Sequence, residues 1–128
     1  MYSMFHHAEN MVGEYTDSPD TSKVKSMERM FHGAKKFNSP LNIDTRSVTN
    51  MEGMFRAAES FNQPLNFDTQ NVTNMDAMFE WAESFNSPIN FSDTSKVSSM
   101  RQMFTSATSF NQPLNFDTQN VTDMDAMF

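Results

Sequence analysis

The segment SFNQPLNFDTQNVTNMDAM, from Ser60 to Met78, returns almost letter for letter from Ser109 to Met127 as SFNQPLNFDTQNVTDMDAM. Between them lies a near-copy, SFNSPINFSDTSKVSSMRQM. A chain that repeats at this period must solve one packing problem again and again, with each unit burying its apolar side against the next. The frame is Met-x-x-Met-Phe, which begins at Met1, Met27, Met51, Met75, Met100 and Met124, with spacings of 26, 24, 24, 25 and 24. The phenylalanines fall at three phases of it. Phe5, Phe31, Phe55, Phe79, Phe104 and Phe128 close the motif; Phe37, Phe61, Phe85 and Phe110 precede an asparagine; Phe67, Phe91 and Phe116 follow one. Residues 1–128 read as one domain: a degenerate first coil (1–26), regular coils at 27–50, 51–74, 75–99 and 100–123, and the start of a further coil at 124–128.

Each unit has two readable parts. Met75, Met78, Phe79 and Ala82 sit at i, i+3, i+4 and i+7, a spacing that predicts a two-turn amphipathic helix. Thr49 with Glu52 reads as its capping box, with Thr73–Asp76 and Thr122–Asp125 as weaker versions. The stretch Pro64–Asp68 alternates Leu65 and Phe67 with Asn66 and Asp68, which predicts a short strand opened by proline. Asp-Thr then turns the chain toward Val48, Val72, Val97 or Val121. Stacked coils would place a narrow parallel sheet on one side and short helices on the other, with Met and Phe in ladders along the axis. Asn38, Asn62, Asn86 and Asn111 are expected to be buried and to satisfy neighbouring coils. Asn42, Asn66, Asn90 and Asn115 are expected to face outward.

The units V-T-N-M-x-x-M-F-x-x-A-x-x-F-N-x-P-L-N-F-D-T resemble the short surface-protein repeat of mycoplasma lipoproteins, which is similar to the BspA-like branch of the leucine-rich repeats. The match is close over Val48–Thr69, Val72–Thr94 and Val97–Thr118, and looser over Val24–Thr45. Residues 1–26 depart from it, with Glu14 in place of the proline and Tyr15 in place of the leucine. The resemblance implies an α/β repeat fold, a leucine-rich-repeat-like right-handed solenoid. It also implies a place in secreted or cell-surface proteins and roles in adhesion or protein–protein contact. The family defines no catalytic residue to carry over.

Composition narrows the classes. Nine basic against sixteen acidic residues give a net charge of −7, unlike the basic face of a nucleic-acid binder. The basic minority, Lys23, Lys25, Arg29, Lys35, Lys36 and Arg46, reads as a solvated mixed-charge face. Without cysteine there is no disulfide framework and no thiolate zinc site. No apolar run approaches the roughly 20 residues that span a bilayer. With three glycines the chain has no phosphate-binding loop, and no constellation points to catalysis or a cofactor.

The remaining candidates are binding residues. Asp44, Asp68, Asp93 and Asp117 share one phase, and either calcium between coils or an Asx turn at each carboxylate would relieve their repulsion. His6 and His32 also share a phase; a metal there would need His7 or a carboxylate as third ligand. Trp81 lies off the apolar stripe, where sister units carry Gly33, Ala57 and Ser106, and could anchor an interface or pack on a neighbour. Asn71, Asn90 and Asn120 begin glycosylation sequons. Met1, Met4 and Phe5 match Met124, Met127 and Phe128 in phase, so copies stacked end to end would continue the ladders. The expectation is a noncatalytic extracellular or cell-surface module. Its contact face carries the Asn42 and Asp44 columns, and its ligand is a protein or glycan. The alternative is a structural subunit whose partner is itself, end to end in a filament.

Overall fold

A computed structural model describes residues 20–128. Its repeats lie one on another in register. Parallel bridges join Ser26 to Asn50, Asn50 to Asn74, Asn74 to Ser99, and Ser99 to Asp123. The expected α/β leucine-rich-repeat-like right-handed solenoid, with helices on one side and strands on the other, is not what forms. Among the described residues there is no α-helix, and β pairing is confined to single-residue bridges.

The hydrogen bonds give the reason. In an α-helix every N–H reaches the carbonyl four residues back. Here the amides of Met54, Arg56 and Ala58 reach only three back, to Met51, Gly53 and Phe55. The alternate amides leave the coil altogether. Those of Met51, Gly53, Phe55 and Ala57 donate to Asn74, Asp76, Met78 and Glu80 of the next repeat at 2.8 to 3.0 Å. The segment is therefore a run of β-turns. The turns Met51–Met54 and Phe55–Ala58 place Gly53 and Ala57 third, at φ 58° and 55°. Positive φ at that position is the mark of a type II turn. The same two positions are left-handed in every described repeat: Arg29 and Gly33, Ala77 and Trp81, Gln102 and Ser106. Two such turns in tandem put residues i, i+3, i+4 and i+7 on one side, as a helix would. Met51, Met54, Phe55 and Ala58 are accordingly all fully buried.

The expected helix caps are corrected with the helices. Asn50, Asn74 and Asp123 accept the N–H two residues on, from Glu52, Asp76 and Asp125, at 2.8 to 3.0 Å. Thr49, Thr73 and Thr122 instead donate their hydroxyls to Lys25, Thr49 and Ser98 carbonyls in the preceding repeat.

Inside, rings stack on rings rather than alternating with methionine. Phe31, Phe55, Phe79 and Phe104 form one column with centroids 5.4 to 5.7 Å apart. Phe37, Phe61, Phe85 and Phe110 form a second at 5.7 to 5.9 Å. Within each repeat the two columns touch at 4.3 to 4.5 Å. Nearly parallel rings at these separations are offset-stacked, which adds about 0.5 to 1.5 kcal/mol per pair beyond the area each ring buries. Methionines fill the rest of the core, where their pliable side chains fit the space the rings leave.

A buried threonine column closes the stack at the Asp-Thr corner. Thr21, Thr45, Thr69 and Thr94 are each 4% exposed or less. The Thr94 hydroxyl donates to the Asp117 carbonyl at 3.1 Å and accepts the Asp117 N–H at 2.8 Å. Thr21 does the same with Asp44. One hydroxyl so satisfies both backbone groups of the next repeat, which a buried corner requires.

Candidate functional site

A second wall of the stack carries the Pro-Leu-Asn-Phe segments, where Leu65 and Ile89 form a parallel bridge. Asn42, Asn66, Asn90 and Asn115 all point outward from it and are exposed, as their alternation predicts. The Asn90 amide donates to Asn66 Oδ1 at 3.0 Å. Beneath them Phe67, Phe91 and Phe116 form a third ring column at 6.0 and 5.7 Å. Between the third and fourth regular repeats this wall opens into a cleft lined by Ile89, Asn90, Phe91, Asn115 and Phe116. Ser92, the residue added to the 75–99 repeat, follows this cleft directly in the chain.

The aspartate column is placed beside this wall by Asx turns. The Oδ1 atoms of Asp44, Asp68, Asp93 and Asp117 accept the N–H of Arg46, Gln70, Ser95 and Gln119 at 2.8 to 3.2 Å. The Arg46 side chain, then its backbone N–H, holds the Asp44 carboxyl below its ordinary value. For Asp93 the Ser95 backbone N–H leads, followed by the Ser95 hydroxyl. The inserted Ser92 donates to Asp68 Oδ1 at 3.1 Å, so the carboxylates of this column are occupied by local donors.

The other asparagine column is corrected in one respect. Asn38, Asn62, Asn86 and Asn111 are exposed rather than buried. Their joining role is nonetheless real. Asn38, Asn62 and Asn86 Oδ1 accept the N–H of Asn62, Asn86 and Asn111, each at 2.8 Å. Of the sequon asparagines, Asn71 and Asn120 spend an amide N–H on the Arg46 and Ser95 carbonyls of the preceding repeat. The Asn90 side-chain amide goes to the Asn66 side chain noted above rather than to a carbonyl.

Trp81 stands on the tandem-turn wall, 48% exposed, with φ at 59°. A bulky residue in that region is a true outlier, with a cost on the order of 1 to 3 kcal/mol. The Arg56 guanidinium lies 5.6 Å above its ring. Arg56 Nε in turn meets Glu80 Oε2 at 2.7 Å, and the Glu80 side chain is only 6% exposed. Sequence reasoning missed this Glu80–Arg56–Trp81 chain. Its signal was opposite charges at one phase of adjacent repeats, 56 and 80.

Met124 and Phe128 are exposed, while Met127 packs against the core and Phe128 stacks on Phe104 at 5.5 Å. Met1, Met4, Phe5, His6 and His7, with most of the degenerate first coil, lie outside the described residues. Among the described residues no helix is long and apolar enough to cross a membrane.

Over the described residues, repeats stacked by tandem turns, with Met-Phe cores and Asp-Thr corners, are of one kind. The chain matches the family described as "Mycoplasma protein of unknown function, DUF285" over residues 1–91 and again over 42–128, and it belongs to that family. The match bears on the mycoplasma-type repeat and does not extend to the BspA-like branch of the leucine-rich repeats. Comparisons with curated proteins and with solved structures returned no match.

Proposed function

We propose that the chain is a noncatalytic binding module of a cell-surface or extracellular protein, used for adhesion or protein–protein contact through the Pro-Leu-Asn-Phe wall. The observation that carries this is the exposed amide column over an aromatic floor, opening at the Ile89–Phe116 cleft. A side-chain amide has two donor hydrogens and an acceptor oxygen. The single bond between Asn66 and Asn90 leaves both with capacity toward solvent. The aspartates and threonines nearby act differently: the carboxylates close their own turns, and the threonine hydroxyls bond the backbone of the next repeat and hold the stack. The wall therefore offers neutral, regularly spaced hydrogen-bonding groups on a rigid support, suited to a partner that is itself neutral and extended.

The test is binding of the purified chain to an array of surface glycans and immobilised extracellular proteins. It is repeated with the Asn66→Ala/Asn90→Ala/Asn115→Ala variant after its melting curve is shown unchanged. Binding that the triple variant loses supports the wall as contact face. Binding that survives it places the contact elsewhere and overturns this reading.

A further inference from the structure

We propose that two copies of the chain associate side by side and antiparallel through their tandem-turn walls, about a two-fold axis at the 51–74 repeat, with Trp81 of each copy seated against residues 27–36 of the other. Trp81 projects from a column whose neighbours are the small residues Ala57 and Ser106. Arg56 lies over one face of its ring at 5.6 Å, and Glu80 meets Arg56 Nε at 2.7 Å, so these contacts narrow the orientations open to the ring. A large aromatic side chain with fewer orientations open to it loses less freedom on docking, which favours it as an anchor.

Charge along this wall selects the partner and its orientation. Residues 27–36 carry Arg29, Lys35 and Lys36 against Glu28 alone. Residues 75–84 carry Asp76, Glu80 and Glu83 with no cation; Glu80 is buried against Arg56, which leaves Glu83 and the half-buried Asp76 toward solvent. Residues 51–60, between them, hold Glu52, Arg56 and Glu59. A two-fold axis at the middle repeat brings the basic segment of each copy over the acidic segment of the other. A parallel arrangement would set acid on acid. An isologous contact needs such a self-complementary patch, and opposed potentials steer it into register. Lys36 and Glu83 are exposed, and neither forms an ion pair with another described residue. Lys35 faces Glu59 of its own chain at 3.5 Å and Arg29 faces Glu28 and Glu52 at 3.8 Å, so Lys36 and Glu83 are the charges left to pair across the contact.

The patch spans three repeats and is small, so the dimer belongs to the weak class and shows itself in a concentration series. Sedimentation equilibrium and the emission of Trp81, the chain's sole tryptophan, read it together. A monomer–dimer equilibrium is expected, with emission shifting to shorter wavelength as dimer forms and returning at high salt. Lys36→Glu or Glu83→Lys alone should weaken the dimer by about tenfold or more, and the double swap should restore most of it, as coupled charges do. Trp81→Ser borrows the residue of the next repeat and should abolish the dimer while leaving the far-ultraviolet spectrum unchanged. A chain that stays monomeric at every concentration overturns the proposal. So does an open series of larger oligomers, or a double swap no better than the single changes.

Discussion

The tandem-turn wall and the Pro-Leu-Asn-Phe wall differ in where their backbone bonds go. On the first, alternate amides of each repeat donate to the next without a break, from Met27–Asn50 through Phe104–Met127. On the second, Leu65, Asn90 and Ser92 amides knit the 51–74 and 75–99 repeats. The amides of Leu114, Asn115 and Phe116 make no backbone bond to Ile89–Phe91. One feature of the sequence contributes to the contrast: Pro40, Pro64, Pro88 and Pro113 each remove a donor where the second wall begins. One wall is a continuous backbone-bonded spine; the other is held mainly by its rings. The division fits a scaffold that keeps its shape on one side and offers a surface on the other.

Deleting one ring from each wall should expose the difference most clearly. Phe55 is fully buried and stacks on Phe31, Phe61 and Phe79, so Phe55→Ala should cost about 3 to 5 kcal/mol. Phe91 is only partly buried, and Phe91→Ala should cost roughly 1 to 2 kcal/mol. Chemical denaturation of both variants measures the gap, and equal losses would erase the distinction between spine and surface.

The turn geometry of the spine gives the next effect. Gly53 has φ 58°, and a Cβ there would stand 3.3 Å from Arg29 Cγ. Gly53→Val should therefore destabilise by about 1 to 3 kcal/mol, since a β-branched residue is strained at positive φ. In a helix interior the same change would stabilise or be neutral, so the sign of the shift separates the two structures. At the corner between the walls, Thr69→Val removes the hydroxyl that donates to the Asp93 carbonyl at 2.6 Å and should cost about 1 to 3 kcal/mol. Thermal melts compared with the exposed control Thr73→Val would show it.

The smallest effect is electrostatic. Asp44 and Asp93, with their carboxyls held below the ordinary value, contribute stability that is whole above that value. It is lost as pH falls through their depressed folded values, because the unfolded chain then binds protons more readily. Melting temperature measured against pH should therefore decline on the acid side. Asp44→Asn should flatten that decline in part, and added salt should shrink the Asp44 share more than the Asp93 share, which rests on a backbone bond.

Much of this was legible in the sequence. The period, the stacking of like on like and the core positions Met51, Met54, Phe55, Phe61 and Val72 follow from phase alone. The local structure was not legible, because apolar residues at i, i+3, i+4 and i+7 serve a helix and a pair of tandem turns equally well. Gly33 and Gly53 carry the distinguishing signal, each third in its turn, where a left-handed backbone is needed and glycine supplies it without strain. The other repeats use Ala77, Gln102 or Ser106 there and hide it. The Asn42 and Asp44 columns were placed by alternation and Asx chemistry, which depend on near neighbours. The cleft and the Glu80–Arg56–Trp81 chain depend on contacts between repeats, which no single unit displays.

The central claim is that the Met-Phe segments bond to the next repeat and not to themselves. Scalar couplings transmitted through hydrogen bonds, measured by NMR on the isotope-labelled chain, test it directly. The couplings should link the amides of Gly53, Phe55 and Ala57 to the carbonyl carbons of Asp76, Met78 and Glu80. A coupling from the Phe55 amide to the Met51 carbonyl, four residues back as in a helix, would contradict it.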